Sequence, residues 1–106
     1  MNTNVVLIIW TCKDLLEARK IATDLLNKKL IACASMIPAV ESIYVWKGQT
    51  ESIQECKVFL KTLSSHFDKV CEEIRGSCSY EVPEILQVPI TGGNPDYLSW
   101  VTTQST

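Results

Sequence analysis

The sequence predicts an α+β domain with a ferredoxin-like βαββαβ fold, in which two helices cover one face of a four-stranded antiparallel sheet. Segments with strand and helix periodicity alternate in the order strand, helix, strand, strand, helix, strand, with a short closing helix. A chain of 106 residues is typical of one domain, here residues 1–106. The 46% of hydrophobic residues is enough for one core without a disulfide or metal staple.

The first elements are a buried strand and an amphipathic helix. Residues 5–10 are apolar at every position, which is typical of a central strand covered on both faces. Asp14 followed by Glu17 is a D-x-x-E variant of the capping box. Apolar residues at helical spacing then continue to Lys28, so we expect the first helix there.

A long β-hairpin follows the first helix. From Leu30 to Trp46 the chain is rich in β-forming residues, and Pro38 indicates an edge strand or a bulge. Residues 47–50 form the predicted turn. Residues 53–62 alternate between polar and apolar side chains, which predicts a strand with one face in water.

The tip of this hairpin is apolar on both faces. Ile43 and Val45 point to one side of the ribbon, and Tyr44 and Trp46 point to the other. A projecting two-stranded ribbon of this kind is unstable alone in water and exposes an aggregation-prone edge. We therefore expect a closed homo-oligomer that buries Tyr44 and Trp46 at its interface. The alternative is a hairpin bent back onto its own domain.

The second half of the chain completes the pattern. Ser65 with Asp68 predicts the start of a second helix, and Gly76 stands where a helix C-terminus favours a residue with positive φ. Residues 84–91 predict the last strand. A short closing helix is expected after Asn94, which is a favourable N-cap residue.

Composition and charge exclude several classes of protein. Ten Lys and Arg against twelve Asp and Glu give a net charge of −2, which provides no basic surface for nucleic acid. The apolar run at residues 5–10 is far too short to span a membrane. Five cysteines without a C-x-x-C pair predict free thiols in a reducing compartment, so we expect a cytoplasmic protein.

The sequence also gives no indication of an enzyme. It has no G-x-S-x-G motif and no cysteine with an evident histidine partner. His66 is the one histidine, which excludes a multi-histidine zinc site within a single chain. Acylphosphatases share this fold class but need an arginine on an early loop, whereas Arg19 and Arg75 fall in predicted helices.

Two groups of polar residues are candidates for a binding site. Glu81 and Glu84 could bind a hard cation or act in acid–base chemistry, although two such glutamates are also typical of a solvated edge. Lys61, Tyr80, Glu81 and Tyr97 could line a pocket between subunits for an anion or a carboxylate. The alternative for Lys61 is an ordinary exposed position at a strand end.

Six segments spread across nearly the whole chain form a distinctive set in order and spacing. They are CASMIP at 33–38, ESIYVWKG at 41–48, KT at 61–62, YEVPEI at 80–85, PI at 89–90 and YLSW at 97–100. In these segments the chain resembles the CutA1 divalent-cation tolerance proteins. The resemblance implies a ferredoxin-like protomer, an interlocked homotrimer with the architecture of the PII signalling proteins, and an association with copper and other divalent metals.

The chain departs from the copper-binding pattern of that family. Members that bind copper carry a cysteine near the end of the first strand and one or two histidines just before a Pro-Tyr pair. Here the equivalent positions are Trp10, Ser77 and Cys78. Cys78 is a soft ligand suited to Cu(I), and Cys12 is expected on the same strand face as Trp10. The sequence therefore suggests a two-thiolate site at Cys78 and Cys12, with Glu84 as a further candidate ligand.

These observations leave three hypotheses. The first is a non-enzymatic, cytoplasmic homotrimer of divalent-metal response with an altered site for copper or another divalent cation. The second is a PII-like sensor that binds a small anion or metabolite between subunits and signals to a protein partner. The third is a rigid scaffold without a ligand.

Overall fold

A computed structural model describes residues 3–106 and confirms the predicted α+β fold. All strand pairs in the four-stranded sheet are antiparallel, and the strand order is β2-β3-β1-β4. A 3₁₀ turn, Ser64–His66, precedes α2. The elements are β1 (Val5–Cys12), α1 (Leu15–Asn27), β2 (Cys33–Trp46), β3 (Gln49–Leu63), α2 (Phe67–Ser77), β4 (Ile85–Pro89) and α3 (Pro95–Gln104).

Strand β1 is central, as its apolar sequence predicts, and its two faces have different surroundings. Ile8, Trp10 and Cys12 point to the face covered by helices, where they are fully buried. They pack there with five buried residues of α1 and α2, which are Ala18, Ile21, Leu25, Val70 and Ile74. This face contains the main core.

The other side of the sheet is covered only at one end, where α3 places Val101 against Val5 and Ala32. The rest of this side carries apolar side chains that are partly or largely exposed. Strand register puts them on one surface, because directly opposite residues share a face. We call this surface the open sheet face; its apolar residues are Leu7, Ile9, Ile37, Phe59, Leu86 and Val88.

The first helix begins as predicted and the second does not. The Asp14 carboxylate accepts a hydrogen bond from the backbone N–H of Glu17 at 2.9 Å. Ser65 was expected to cap α2, but the helix is entered from the 3₁₀ turn and has no side-chain cap. His66, within that turn, is instead in contact with the carbonyl oxygen of Leu30, with 3.2 Å between Nδ1 and the oxygen.

The end of α2 also differs from the prediction. Gly76 does not have a positive φ and lies inside the helix, which continues to Ser77. Cys78 then leaves in an extended conformation, and its N–H bonds to the Ile74 carbonyl. Because the chain exits without a left-handed residue, no glycine is required at this helix end.

The hairpin extends beyond the domain instead of folding back onto it. Strands β2 and β3 pair from Cys33 opposite Lys61 to Trp46 opposite Gln49. One bulge interrupts this pairing near Ala39, whose φ is 59°. The molecule measures 44 × 28 × 22 Å. At the tip Tyr44 remains 39% exposed and Ile43, Val45 and Trp46 are also exposed, so both faces of the ribbon meet solvent in a single protomer.

Strand β3 alternates as predicted, with one exception. Cys56, Val58 and Leu60 face the main core. Glu55 was assigned to the wet face, but it is only 7% exposed. The cause is tertiary, since Glu55, opposite Val40 in the hairpin, lines a cleft together with residues of the loop that leads to β4.

Among residues 3–106, no helix is long and apolar enough to cross a membrane. The longest one, α1, has 13 residues.

The two-residue turn at the hairpin tip gives a stability prediction. Lys47 and Gly48 have φ values of 51° and 80°, as in a type I′ turn. A Cβ at Gly48 would meet no atom within 4 Å, so the cost of Gly48→Ala is conformational only. We expect it to lower the free energy of unfolding by about 1 kcal/mol in denaturant titrations.

Gly92→Ala is the matched control. Gly92 has equally open surroundings and no positive φ, so its substitution is expected to be neutral. Equal losses in the two variants would contradict the conformational explanation.

Candidate functional site

The structure places the candidate metal ligands Cys12 and Cys78 at the same end of the main core. The Cys12 thiol donates to the carbonyl oxygen of Asp14 at 3.4 Å, and the Cys78 thiol donates to Oε1 of Glu17 at 3.4 Å. Cys12 also lies directly opposite Cys56 in the antiparallel pairing of β1 and β3. Two soft ligand atoms, with a third thiol and a carboxylate nearby, therefore share one buried region.

Both thiols are held in the protonated form by their surroundings. Burial raises the pKa of Cys12 to about 12, and the nearby Cys56 thiol adds to this effect. Burial also raises the pKa of Cys78, while a hydrogen bond from the backbone of Tyr80 partly opposes it. A metal that binds here must displace protons. Among residues 3–106, no three His, Cys, Asp or Glu side chains are arranged to hold a metal ion.

Trp10 occupies the position where copper-binding relatives were expected to have a cysteine. It is fully buried, and its indole N–H has no hydrogen-bond partner among the described residues. Ser77, where a histidine was expected, is exposed at the end of α2. Neither side chain provides a metal ligand, so any soft-metal contact in this region falls to the cysteines.

Glu84 is not brought to the two thiols, which corrects its grouping with them. Its Oε1 accepts hydrogen bonds from Thr11 Oγ1 at 2.8 Å and from Lys57 Nζ at 2.9 Å. Burial alone would raise the pKa of Glu84, but these two bonds and the Lys57 charge lower it. Thr11 and Cys12 are consecutive in a strand and point to opposite faces. Glu84 therefore lies on the side of the sheet away from Cys12.

Lys61 and Tyr97 form a separate group near α3. The Lys61 ammonium donates to Ser35 Oγ at 3.0 Å. The Tyr97 hydroxyl lies 3.7 Å from the Cys33 thiol, and Cys33 is the cross-strand partner of Lys61. Burial and the Cys33 contact raise the pKa of Tyr97. These residues form a small polar group at the α3 end of the sheet.

Within this protomer Tyr80 and Glu81 lie at the other end of the sheet from Lys61 and Tyr97, and the predicted pocket between subunits stays a prediction. Tyr80, Glu81 and Lys57 line a cleft. Lys57 precedes Lys61 by four residues of β3, which corresponds to about 13 Å along the strand. The cleft has a volume of about 560 Å³. Its remaining lining residues are Thr11, Ser42, Ile43, Tyr44, Trp46, Glu55, Ser79, Val82 and Glu84.

The floor of this cleft contains Glu55, a residue that sequence reasoning missed. Burial raises the pKa of Tyr80, and the nearby Glu55 carboxylate raises it further, because both disfavour the phenolate. The pKa of Tyr44 is raised by burial and by the charge of Glu55. The strand pattern does contain Glu55, but the loop that covers it comes from about 25 residues later in the chain.

Comparisons with known proteins agree with this architecture. The family model described as CutA1 divalent ion tolerance protein matches residues 6–104. A divalent-cation tolerance protein CutA from Escherichia coli is 39% identical over 100 residues, which cover 94% of this chain and 89% of that protein.

Solved structures give the same result. The crystal structure of CutA from Xylella fastidiosa superposes with a TM-score of 0.95 at 33% identity, covering 98% of this chain and 100% of that chain. A CutA protein from Archaeoglobus fulgidus, described as a periplasmic divalent cation tolerance protein, superposes with a TM-score of 0.93 at 34% identity. It covers 96% of this chain and 99% of that one. The chain therefore belongs to the CutA1 divalent ion tolerance protein family.

Proposed function

We propose that this chain acts in the cellular response to divalent metal ions, as a non-enzymatic binding protein. The observation that carries the proposal is the match to the CutA1 divalent ion tolerance family across residues 6–104. The absence of an evident catalytic group among residues 3–106 supports the non-enzymatic assignment. His66 lies beside backbone and hydroxyl oxygens, and burial raises the pKa of the Cys12, Cys56, Cys71 and Cys78 thiols.

Copper is the metal that best suits the donor set, through Cys12 and Cys78. Two thiolates are sufficient for Cu(I), which is a soft ion, whereas Zn²⁺ and harder divalent ions need more ligands. The Glu17 carboxylate beside Cys78 would partly balance the charge of a bound cation. These contacts support a copper site in which the two cysteines replace the ligands that this chain lacks.

Because the pKa values of the two thiols are raised, we expect Cu(I) binding to depend on pH. We expect Cu(I) affinity of the reduced protein to increase by about tenfold per pH unit for each thiol proton that the metal displaces. The increase continues through neutral pH, because Cys12 stays protonated up to a pKa of about 12. Competition titrations with a colorimetric Cu(I) chelator between pH 6 and pH 8 measure it.

Substitutions identify the ligands in the same assay. Cys78→Ser and Cys12→Ala are each expected to weaken Cu(I) binding by at least about tenfold. Cys71→Ser, on the outer side of α2, is the matched control and should bind like the wild type. Binding that is independent of pH, or equally weakened by Cys71→Ser, would contradict the assignment.

We propose that the protein is a homotrimer whose interface includes the open sheet face and the hairpin tip. Leu86 is 51% exposed on that face, and Ile37 and Val88 are also exposed. Tyr44 and Trp46 extend the apolar surface along the projecting ribbon. A contiguous apolar patch of this kind marks an association surface, and closed symmetry would also cover the edge strands.

Two leucine variants test which surface forms the trimer interface. Leu86→Glu places a charge on the open sheet face and is expected to convert the trimer into a particle of 11.9 kDa. Leu16→Glu is the control, since Leu16 is 77% exposed on α1, on the helix side of the sheet. Light scattering should find the wild type and Leu16→Glu at three times the protomer mass. A folded wild-type monomer would overturn the proposal.

A cytoplasmic location is part of the same proposal. All five cysteines are free in the structure, which is consistent with a reducing compartment. Fractionation with detection of the free thiols tests it; recovery in an oxidising compartment would contradict it.

The second candidate function is a sensor that binds a small molecule and signals to a protein partner. The cleft of about 560 Å³ favours it, because this volume is in the range of small-molecule sites. The cleft contains Tyr80 and Glu81 but neither Lys61 nor Tyr97. The anionic ligand expected near Lys61 stays a prediction, because the pocket predicted for it lies between subunits.

A further inference from the structure

We propose that Cys12 and Cys56 form a redox pair, in which Cu(II) oxidises the two thiols to a cross-strand disulfide. The disulfide removes Cys12 from the candidate copper site and so lowers the affinity of the chain for Cu(I). This consequence rests on the proposed copper site, whereas formation of the disulfide depends only on the two thiols and the oxidant.

The backbone places the two cysteines at the spacing that a disulfide needs. Cys12 and Cys56 are direct partners in the antiparallel pairing of β1 and β3. The N–H of Thr11 bonds to the Glu84 carbonyl on the β4 side, so the N–H of the next residue, Cys12, points to β3. Cys12 and Cys56 are therefore a hydrogen-bonded pair, whose Cα atoms lie about 5.5 Å apart. This separation is within the range of native disulfides.

Both side chains point into the main core from the helix-covered face of the sheet. Cys12 is fully buried and Cys56 is 1% exposed. Directly opposite residues on one face of a sheet have Cβ atoms about 4.5–5.5 Å apart, so closure needs these atoms to approach by about 1 Å. The Cys56 thiol also raises the pKa of Cys12, as expected of two thiols in proximity.

The other cysteines are placed differently. Cys33 pairs with Lys61 and lies beside Tyr97, at the end of the sheet covered by α3. Cys71 lies in the middle of α2. Within residues 3–106, Cys12 and Cys56 are the one pair of cysteines that stand opposite each other in the sheet.

A surface groove between the start of α1 and the end of α2 gives copper a path to the pair. Two residues that line the groove, Asp14 and Glu17, are in direct contact with core thiols. The Asp14 carbonyl oxygen accepts a hydrogen bond from Cys12, and the Glu17 carboxylate accepts one from Cys78, each at 3.4 Å. Cys78 is partly exposed and packs against the main core. The path therefore leads from the carboxylate of Glu17 through Cys78 to Cys12.

Burial of the pair favours a metal ion as the oxidant. A low-molecular-mass disulfide such as glutathione disulfide reacts with an exposed thiolate, and neither Cys12 nor Cys56 is exposed. A copper ion is much smaller and displaces the thiol proton when it binds sulfur. We therefore expect Cu(II) to oxidise the pair faster than glutathione disulfide does.

The reaction balances with two copper ions. Each Cu(II) accepts one electron and becomes Cu(I), so two ions take the two electrons that the thiols give up. Both S–H bonds break, one S–S bond forms, and the two protons pass to water. The product keeps the Cys78 thiol but not that of Cys12, so one of the two soft ligands of the copper site is lost.

Anaerobic treatment of the reduced wild-type protein with copper(II) chloride tests the disulfide. After removal of copper, the number of free thiols counted under denaturing conditions should fall from five to three. Peptide mapping should show the peptide that contains Cys12 linked to the one that contains Cys56. Glutathione disulfide at the same concentration should form this link at least about tenfold more slowly, because the thiols are buried.

Cys56→Ala separates the redox pair from the copper site. The reduced variant should bind Cu(I) like the wild type, since Cys12 and Cys78 remain. After treatment with Cu(II), the wild type should lose at least about tenfold in Cu(I) affinity, whereas Cys56→Ala should lose none. Cys71→Ala, at a partly exposed position of α2, is the matched control and should lose affinity as the wild type does.

The outcomes distinguish failure of the redox pair from failure of the copper site. A link between any other two cysteines, five free thiols after treatment, or an equal loss of affinity in Cys56→Ala would overturn the redox pair. Equal rates with glutathione disulfide would overturn the role of Cu(II). If Cys56→Ala fails to fold, as judged by thermal unfolding, peptide mapping of the wild type still decides. A reduced wild type that does not bind Cu(I) would instead overturn the copper site, and the link between Cys12 and Cys56 would still be detected.

Discussion

The whole structure depends on a central strand that is apolar on both faces. One face of β1 buries Ile8, Trp10 and Cys12 under α1 and α2, which is enough for a core. Its other face carries Leu7 and Ile9, and α3 covers only the end of that surface. Since burial of apolar area is the main favourable contribution to folding, a protomer of this kind is stable but incompletely covered. The open sheet face, the trimer proposal and the position of the cleft all follow from this imbalance.

The long hairpin turns the incompletely covered sheet into a site. The bulge near Ala39 changes the register between β2 and β3, and beyond it the ribbon projects from the sheet. Glu55, in the β3 arm of this ribbon, lines a cleft together with residues of the loop that precedes β4. The carboxylate of Glu55 is therefore buried although the alternation of polar and apolar residues along β3 gives no sign of it. Its burial is a property of three segments together.

The sequence correctly predicted the features that depend on neighbouring residues. Its predictions failed where contacts between distant parts of the chain determine the structure. The Asp14 cap, the central position of β1 and the alternation of β3 are local, and the structure has all three. The predictions of a Ser65 cap and of a helix end at Gly76 were wrong. The helix starts from a 3₁₀ turn without a side-chain cap, and it ends with a hydrogen bond from the Cys78 N–H to the Ile74 carbonyl. The grouping of Glu84 with Cys12 required the sidedness of the sheet, which only pairing across the sheet provides. The pocket of Lys61, Tyr80, Glu81 and Tyr97 was predicted between subunits and stays a prediction.

The short segment from Cys78 to Tyr80 is a common wall for two regions of different chemistry. The Cys78 thiol donates to Glu17 on one side, and Tyr80, two residues later, lines the cleft with Glu55 on the other. Deprotonation of the thiol, or its capture by a soft ion, would therefore alter a residue that also shapes the aromatic cleft. Thermodynamic linkage makes such an influence mutual. A ligand bound at the Cys78 thiol would change the affinity of the cleft for its ligand, and a ligand in the cleft would change the affinity at the thiol by the same factor.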